Sequence, residues 1–142
     1  MSRDMTPEER RAFLSFGTRT GKLATVRASG APHVAPIWFV LDGDDFVFTT
    51  GGESVKARNL RREPRASMCV DDQAPPYSFV VASGSVTLSH DLDEMLRWAT
   101  AIGARYMGEE RAEQFGRRNA VPEEVLVRLT PSHVVAEADV SD

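Results

Sequence analysis

The segment Thr49–Arg62 has the residue types and spacing of an anion-binding turn. Two threonines and two glycines are followed by Ser54 and then by four cationic side chains, Lys56, Arg58, Arg61 and Arg62. Glycines let backbone amides turn towards a ligand, and a helix start adds a positive partial charge that favours phosphate. The Walker spacing is absent. The same residues are also compatible with a flexible turn followed by a solvated basic helix.

Other groups with chemical potential are scattered along the chain. His33, His90 and His133 lack the spacing of metal ligands, so we expect no metal site. There is no nucleophile elbow, and the lone Cys69 has the apolar neighbours of a small buried side chain. The arginine pairs are not interleaved with aromatic residues and the net charge is −4, so we expect no nucleic-acid partner.

The bulk properties predict one globular domain spanning residues 1–142. Its composition is 42% hydrophobic and 27% charged, which is typical of a folded chain. The amino-terminal residues are charged rather than apolar, and no stretch approaches the roughly 20 apolar residues that a membrane span needs. We therefore expect a cytoplasmic protein without a membrane partner.

The elements that must position the basic segment follow from capping signals and apolar periodicity. Thr6-Pro7 predicts the start of a first helix that ends at Gly17, and Pro64 closes a basic helix over Val55–Arg62. Six strands are predicted, at Lys22–Arg27, Pro32–Leu41, Phe46–Thr50, Arg65–Val70, Phe79–Leu88 and Val125–Leu129 with Val134–Val135. Two further helical segments are predicted at Asp91–Thr100 and Glu109–Arg118. Gly103 and Gly108 are expected to interrupt or join these two segments. The first three strands are predicted to form an antiparallel meander. The order of all the predicted strands and helices predicts a mainly β (α+β) antiparallel barrel with peripheral helices.

Several of these segments, taken in order, carry a family resemblance. These segments are Leu23-Ala24-Thr25-Val26, Gly30-Ala31-Pro32-His33-Val34-Ala35-Pro36-Ile37-Trp38-Phe39, Phe48-Thr49-Thr50, Ser54-Val55-Lys56-Ala57-Arg58-Asn59-Leu60, Arg105-Tyr106-Met107-Gly108 and Leu129-Thr130-Pro131-Ser132-His133-Val134. Over nearly the whole chain they resemble the pyridoxamine 5′-phosphate oxidase-like family of flavin-binding split barrels, and more narrowly its deazaflavin-dependent actinobacterial branch. The resemblance implies a six-stranded antiparallel Greek-key split barrel.

The resemblance also implies a cofactor site and a dimer. The cofactor phosphate is expected at Thr49, Thr50, Ser54, Lys56 and Arg58, and Asn59 of the same helix joins the expected cofactor-binding set. The isoalloxazine-type ring is expected against Pro36, Ile37 and Trp38. Tyr77 and Phe79 are expected to approach the same site from the partner subunit, because the family forms homodimers with two interfacial sites.

Two departures from the vitamin-oxidase pattern bear on the cofactor. Val55 stands where those enzymes have an arginine before the phosphate-binding lysine, and their substrate-binding tail has no counterpart after Val135. Instead the helix adds Arg58, Arg61 and Arg62, which suit the oligoglutamate tail of coenzyme F-420. Lys22 and Lys56 are the only lysines, so nearly all the basic residues are arginines. This bias is typical of a GC-rich genome such as that of an actinobacterium.

The function implied is a coenzyme F-420-dependent oxidoreductase that passes a hydride from the reduced deazaflavin to a conjugated, hydrophobic small-molecule acceptor. An FMN-dependent oxidoreductase of the same family is the first alternative. A non-catalytic cofactor- or haem-binding protein on the same barrel is the second. No residue is singled out as a proton donor.

Overall fold

A computed structural model describes residues 1–142, with eight strands and four helices. In chain order the elements are β1 (Arg3–Asp4), α1 (Pro7–Ser15), β2 (Gly21–Val26), β3 (Pro32–Ile37), β4 (Val40–Asp42), β5 (Asp45–Gly51), α2 (Val55–Arg62), β6 (Arg65–Asp72), β7 (Ser78–Ser89), α3 (Leu92–Met107), α4 (Glu109–Asn119) and β8 (Glu124–Ala138). The α2 boundaries agree with the prediction from the sequence.

All the strands belong to one antiparallel sheet in the order β3-β2-β6-β7-β8-β5-β4, and β1 pairs with β8. Strands β3 and β4 lie at opposite ends of this order although they are neighbours in the chain. The two residues between them therefore carry the chain from one edge of the sheet to the other, as in a split barrel. This confirms the predicted fold class.

Two details of the predicted barrel are wrong. There are eight strands rather than six, because the run Pro32–Leu41 is divided and the amino terminus adds the two-residue β1. The meander is wrong as well, because β4 and not β3 pairs with β5. The division has a physical cause at Phe39, whose ring is buried against Phe46 and whose backbone N–H and C=O bond to side chains of α3 instead of to a strand.

Strand β5 separates two apolar layers, because successive residues of a strand face opposite sides. Phe46 and Phe48 belong to the main core inside the barrel. Val47 faces the other way and packs with Met95 and Trp98 of α3. Helix α3 is therefore fixed against the outer face of β5, and this places its last turns near the carboxyl end of that strand.

Helix α1 begins as the capping signal predicted. The Thr6 hydroxyl accepts a hydrogen bond from the Glu9 backbone N–H at 3.1 Å, and the Glu9 carboxylate accepts one from the Thr6 N–H at 3.1 Å. This reciprocal capping box satisfies two backbone donors that would otherwise lack partners.

The two late helices form a closely packed hairpin. The predicted break at Gly103 is wrong: Gly103 lies inside α3, and a Cβ built there would be 2.9 Å from Cβ of Phe115 in α4. The glycine therefore permits a close helix approach rather than ending a helix. The join at Gly108 is confirmed, with a φ of 95° that favours glycine. Neither of these helices, nor either of the other two, is long and apolar enough to cross a membrane.

Candidate functional site

The turn between β5 and α2 is organised by hydroxyl groups. The Ser54 Oγ accepts a hydrogen bond from the Ala57 N–H at 3.1 Å and so caps α2. The same Oγ lies 3.2 Å from Oγ1 of Thr50, and the Gly52 N–H donates to the Glu123 carbonyl at 2.7 Å. The strand end, the turn and the helix start are thus held as one unit. We call Thr49, Thr50, Ser54 and Lys56 the anion cradle.

The cations of α2 occupy different positions around this cradle. Lys56 is half-buried, whereas Arg58, Arg61 and Arg62 are exposed. None of the four forms an ion pair with a carboxylate of the chain. Arg62 donates to the Val26 carbonyl, and the guanidinium of Arg61 lies beside Gly52. Lys56 is therefore the cation best placed for a ligand phosphate.

Asn59 is located under the helix rather than on its ligand-facing side. Its side chain is 4% exposed, and its amide donates to the Thr25 hydroxyl of β2 at 3.0 Å. A buried amide with a partner of this kind fixes α2 to the sheet. The structure thus gives Asn59 a structural contact, and it does not bring this residue to the cleft described next.

A cleft of about 430 Å³ joins the cradle to the end of β3. Six of the sequence-predicted site residues line it: Pro36, Ile37, Trp38, Thr49, Thr50 and Lys56. Four others were not predicted, namely Thr20, Ile102, Phe115 and Asn119. The volume lies in the usual range of small-molecule sites. The two halves of the predicted site, about ten residues apart in sequence, therefore share one concave surface.

Aromatic side chains form one wall of this cleft. The Trp38 indole stacks on Tyr106 with ring centroids 4.9 Å apart and planes within 3°, and the Phe115 ring lies 5.8 Å away at 33°. Trp38 is nonetheless 40% exposed. We call Trp38 and Phe115, which both line the cleft, the aromatic wall; Tyr106 supports it from behind.

Two consecutive residues of the last turn of α3 fix the Trp38–Phe39 corner. Arg105 donates to the carbonyls of Leu14 at 2.7 Å, Phe39 at 2.8 Å and Gly17 at 2.9 Å. The Tyr106 hydroxyl donates to the Arg19 carbonyl at 2.8 Å and accepts from the Phe39 N–H at 3.3 Å. Burial raises the pKa of the Tyr106 phenol and lowers that of the Arg105 guanidinium. The pair belongs to a segment that carries the family resemblance, but no role at the site was predicted for either residue.

Glu124 places an acidic group close to the cradle. It is the first residue of β8 and pairs with Gly51 across the sheet. Its Oε2 is buried and has no hydrogen-bond partner. Burial raises the pKa of this carboxyl, and Lys56 and Arg118 oppose that shift by their charge. No sequence pattern pointed to this residue, because an acidic side chain at a strand start is usually solvated.

Tyr77 and Phe79 do not line the cleft of their own chain. Tyr77 is 43% exposed in the loop before β7, and Phe79 pairs with Asp71 and Glu137 within the sheet. A wider surface cavity of about 590 Å³, between the ends of β2 and β6, contains none of the predicted site residues either. Its lining consists largely of small residues such as Ser67, Ser83 and Gly84. No group of three or more His, Cys, Asp or Glu side chains is arranged to hold a metal ion.

A split antiparallel barrel with a cleft beside a strand–helix turn is the architecture of a class of flavin-binding proteins. Residues 6–136 match the family model described as pyridoxamine 5′-phosphate oxidase. The chain belongs to this family of oxidoreductases, whose fold binds flavins.

Solved structures of similar proteins cover most of the chain. A conserved hypothetical protein from Mycobacterium tuberculosis is 26% identical with a TM-score of 0.84, over 96% of this chain and 87% of that one. An F-420 reductase is also 26% identical, with a TM-score of 0.68 over 87% of this chain and 94% of that one. A haem storage protein from Vibrio cholerae shares the fold at 20% identity and a TM-score of 0.71, over 93% and 96% of the two chains. Proteins of this fold thus differ in their named ligand or activity.

Proposed function

We propose that this protein is a coenzyme F-420-dependent reductase that acts on a conjugated, hydrophobic small molecule. The observation that carries the proposal is the cleft, which joins an aromatic wall to a cradle of two threonine hydroxyls and an ammonium group without an ion-pair partner. A ligand with a planar ring at one end and a phosphate at the other matches both halves. The similarity to an F-420 reductase, at 26% identity over 87% of the chain, supports the choice of cofactor.

The proposed roles follow from the positions of the residues. Thr49 and Thr50 would donate hydroxyl hydrogen bonds to the phosphate, and Lys56 and Arg58 would neutralise its charge at the positive end of α2. Ser54 would act indirectly, by capping the helix and holding Thr50. Pro36 and Ile37 end β3, which pairs only with β2, and Trp38 follows directly after it. The free backbone groups of this edge strand are available to the polar edge of a bound ring.

The cofactor and the protein would have different roles in the reaction. When bound, the reduced deazaflavin supplies a hydride for the acceptor, and the accompanying proton comes from solvent. The chain itself would bind, orient and shield: the cradle fixes one end of the ligand, and the wall formed by Trp38 and Phe115 keeps water from the other. No side chain in the cleft is needed as an acid.

The cations beyond Lys56 and Arg58 are the basis for preferring F-420 to FMN. Arg61 and Arg62 have no carboxylate partner, so the helix offers positive charge beyond what one phosphate requires. One observation favours FMN instead: Arg62 is already bonded to the Val26 carbonyl, and of the four cations Lys56 is the one that lines the cleft. FMN-dependent oxidoreduction is therefore our second candidate.

A parallel titration of the cofactor-free protein tests the proposal. We expect F-420 to bind more tightly than FMN, and we expect the bound, reduced F-420 to be oxidised on addition of a quinone, followed by its visible absorption. Tighter FMN binding would move the assignment to the second candidate. Tight haem binding without any deazaflavin or flavin turnover would overturn the enzymatic proposal.

We also propose that the protein works as a homodimer. Val34 is 66% exposed and Val26 40% exposed, and both lie on the β2–β3 hairpin, where a partner subunit could cover them. Tyr77 and Phe79 do not line the cleft of their own chain and would approach that of a partner. Light scattering after size exclusion should give twice the mass of the chain, and Val34→Asp should lower it; a wild-type monomer at micromolar concentration would contradict the proposal.

A further inference from the structure

Thr20 places a hydroxyl group at the end of the cleft beside the aromatic wall. It lines the cleft, and the next residue, Gly21, pairs with Ile37 at the end of β3. The other two hydroxyl-bearing residues of the lining, Thr49 and Thr50, belong to the anion cradle. The aromatic end of the cleft therefore has a hydroxyl group of its own, and the roles derived so far do not use it.

The Thr20 side chain lies on the face of the sheet over which the cleft opens. Leu23 is fully buried in the core, so Lys22 faces the outer side of β2, because successive residues of a strand alternate. Pro36, the cross-strand partner of Lys22, shares this face and lines the cleft. The Lys22 Nζ lies 3.0 Å from the Thr20 Oγ1, which places this hydroxyl on the same face.

Hydrogen bonds from two sides fix the position of this hydroxyl. The Lys22 ammonium donates to the Thr20 Oγ1 at 3.0 Å and to the Thr20 carbonyl at 3.3 Å, and the Asp71 carboxylate lies 3.9 Å from the same ammonium. The carbonyl of the preceding residue, Arg19, accepts a hydrogen bond from the Tyr106 hydroxyl at 2.8 Å. A polar group that is held in this way loses little conformational entropy when a ligand binds to it.

The bond from Lys22 leaves the Thr20 hydroxyl free to act as a donor. A threonine hydroxyl has one proton to donate and two lone pairs to accept with. The ammonium uses one lone pair, and no hydrogen bond within the chain uses the hydroxyl proton. Because hydrogen bonds in a chain polarise one another, a hydroxyl that accepts from a cation is a stronger donor to its next partner. The cleft therefore offers a polarised O–H group to an acceptor atom.

We propose that Thr20 is a ligand-binding residue whose hydroxyl donates a hydrogen bond to an oxygen atom of a ligand in the cleft, and that Lys22 is its positioning residue. The donor selects a carbonyl or similar acceptor atom at this point of a conjugated ligand and disfavours an N–H group there. The proposal deepens the proposed function and rests on it only for the identity of the ligand. Flavin-type rings and quinones both carry carbonyl oxygens, so the experiment must tell them apart.

Removal of the hydroxyl alone tests the contact, with FMN, F-420 and a soluble naphthoquinone as ligands in isothermal titration calorimetry. Thr20→Val keeps the shape of the side chain, and it should raise the Kd of the ligand bound there about fivefold, the equivalent of one neutral hydrogen bond. Thr20→Ser retains the hydroxyl and should restore most of the affinity. Thr18→Val is the matched control, because Thr18 is exposed and does not line the cleft.

Lys22→Met tests whether the ammonium acts through Thr20. The variant removes both hydrogen bonds to Thr20, so we expect a loss of affinity similar to that of Thr20→Val. Added to Thr20→Val it should cause little further loss, because the two residues act as one unit; additive losses would overturn the positioning role. Arg27→Met makes the same change of charge at an exposed position just beyond the other end of β2, and it should leave all three affinities unchanged.

The infrared stretching frequency of the carbonyl groups of the bound ligand identifies the oxygen atom. Donation of a hydrogen bond lowers this frequency, so Thr20→Val should raise it for the ligand that Thr20 contacts. A rise for bound FMN or F-420 assigns the contact to the cofactor ring, and a rise for the naphthoquinone assigns it to the acceptor; either result supports the proposal.

Two further outcomes separate this proposal from the proposed function. If neither the carbonyl frequencies nor the Kd values change in a Thr20→Val protein with an unchanged unfolding midpoint, the Thr20 contact is overturned. A frequency shift that depends on Thr20 for the naphthoquinone, in a wild type that binds neither F-420 nor FMN, would instead refute the proposed function alone and support the contact.

Discussion

The anion cradle and the aromatic wall are two halves of one cleft, and they are built in opposite ways. The cradle comes from a single stretch, the end of β5 and the start of α2, whose residues meet because they are neighbours in sequence. The wall combines Trp38 of the β3–β4 break with Phe115 within α4, and Tyr106 at the end of α3 supports it. Local geometry creates the first half, and tertiary packing creates the second. The two halves should therefore fail separately when they are mutated.

Removal of the Arg105 guanidinium should have the largest effect and should fall on the wall. Arg105→Met deletes three hydrogen bonds from a charged donor to carbonyls, and two of these bonds are partly buried. We expect a loss of about 3 kcal/mol in the free energy of unfolding, measured by urea denaturation. Arg105→Lys, which keeps the charge and one donor group, should lose less. Equal stability of Arg105→Met and wild type would show that the corner does not depend on these bonds.

Lys56→Ala should act on the cradle alone. A hydrogen bond to a charged partner contributes about 2 kcal/mol, or roughly thirtyfold in Kd, so the affinity for FMN or F-420 should fall by that amount in isothermal titration calorimetry. Arg117→Ala is the matched control, because Arg117 is an exposed cation on α4 whose partner is Glu113. The binding of lumichrome, a tricyclic flavin ring without ribityl chain or phosphate, should be the same in both variants. A similar loss of FMN affinity in the Arg117 variant would indicate general electrostatics rather than a phosphate contact.

The N-caps of two helices allow the same comparison, with smaller expected effects. Ser54→Ala and Thr6→Ala each remove an N-cap hydroxyl, from α2 and α1 respectively, and each should cost about 1 kcal/mol of unfolding free energy. The Ser54 hydroxyl is also bonded to Thr50, so its loss should in addition weaken phosphate binding. The Thr6 variant should bind phosphate as the wild type does. If both variants bind equally well, Ser54 stabilises the helix without organising the cradle.

This difference between the halves explains how far the sequence could predict the site. Ser54 and Pro64 bound α2 by local rules, so the helix and the cradle residues were predicted with the observed boundaries. The structural contacts of Asn59, which was predicted as a cofactor-binding residue, and of Tyr106 could not be predicted, because they depend on Thr25 and on Phe39, which are 34 and 67 residues away. The division of the run Pro32–Leu41 was missed for the same reason. Its cause is a pair of side chains on α3 that bond the backbone of Phe39, and no apolar pattern reveals that.

Glu124 should produce the smallest effect, and the size of that effect depends on pH. Burial raises the pKa of this carboxyl in the folded protein, so the unfolded chain releases the proton first as pH rises. Stability is therefore lost from the ordinary carboxyl pKa of 4.5 upward, until the raised folded pKa has been passed. Glutamine cannot ionise. The stability of Glu124→Gln relative to wild type should accordingly be constant in acid and should increase towards neutral pH, in urea denaturation across a pH series.

The same variant connects stability with the cradle. The Glu124 carboxylate, when ionised, shares the electrostatic field of Lys56, so its removal should strengthen the binding of a phosphate-bearing ligand at neutral pH and leave lumichrome binding unchanged. Glu123→Gln is the control, since Glu123 is the exposed neighbour in the turn before β8. A flat pH profile for Glu124→Gln, or an equal change in the Glu123 variant, would show that the orphaned carboxylate does not set the charge of the cradle. The anion half of the cleft would then be governed by α2 alone.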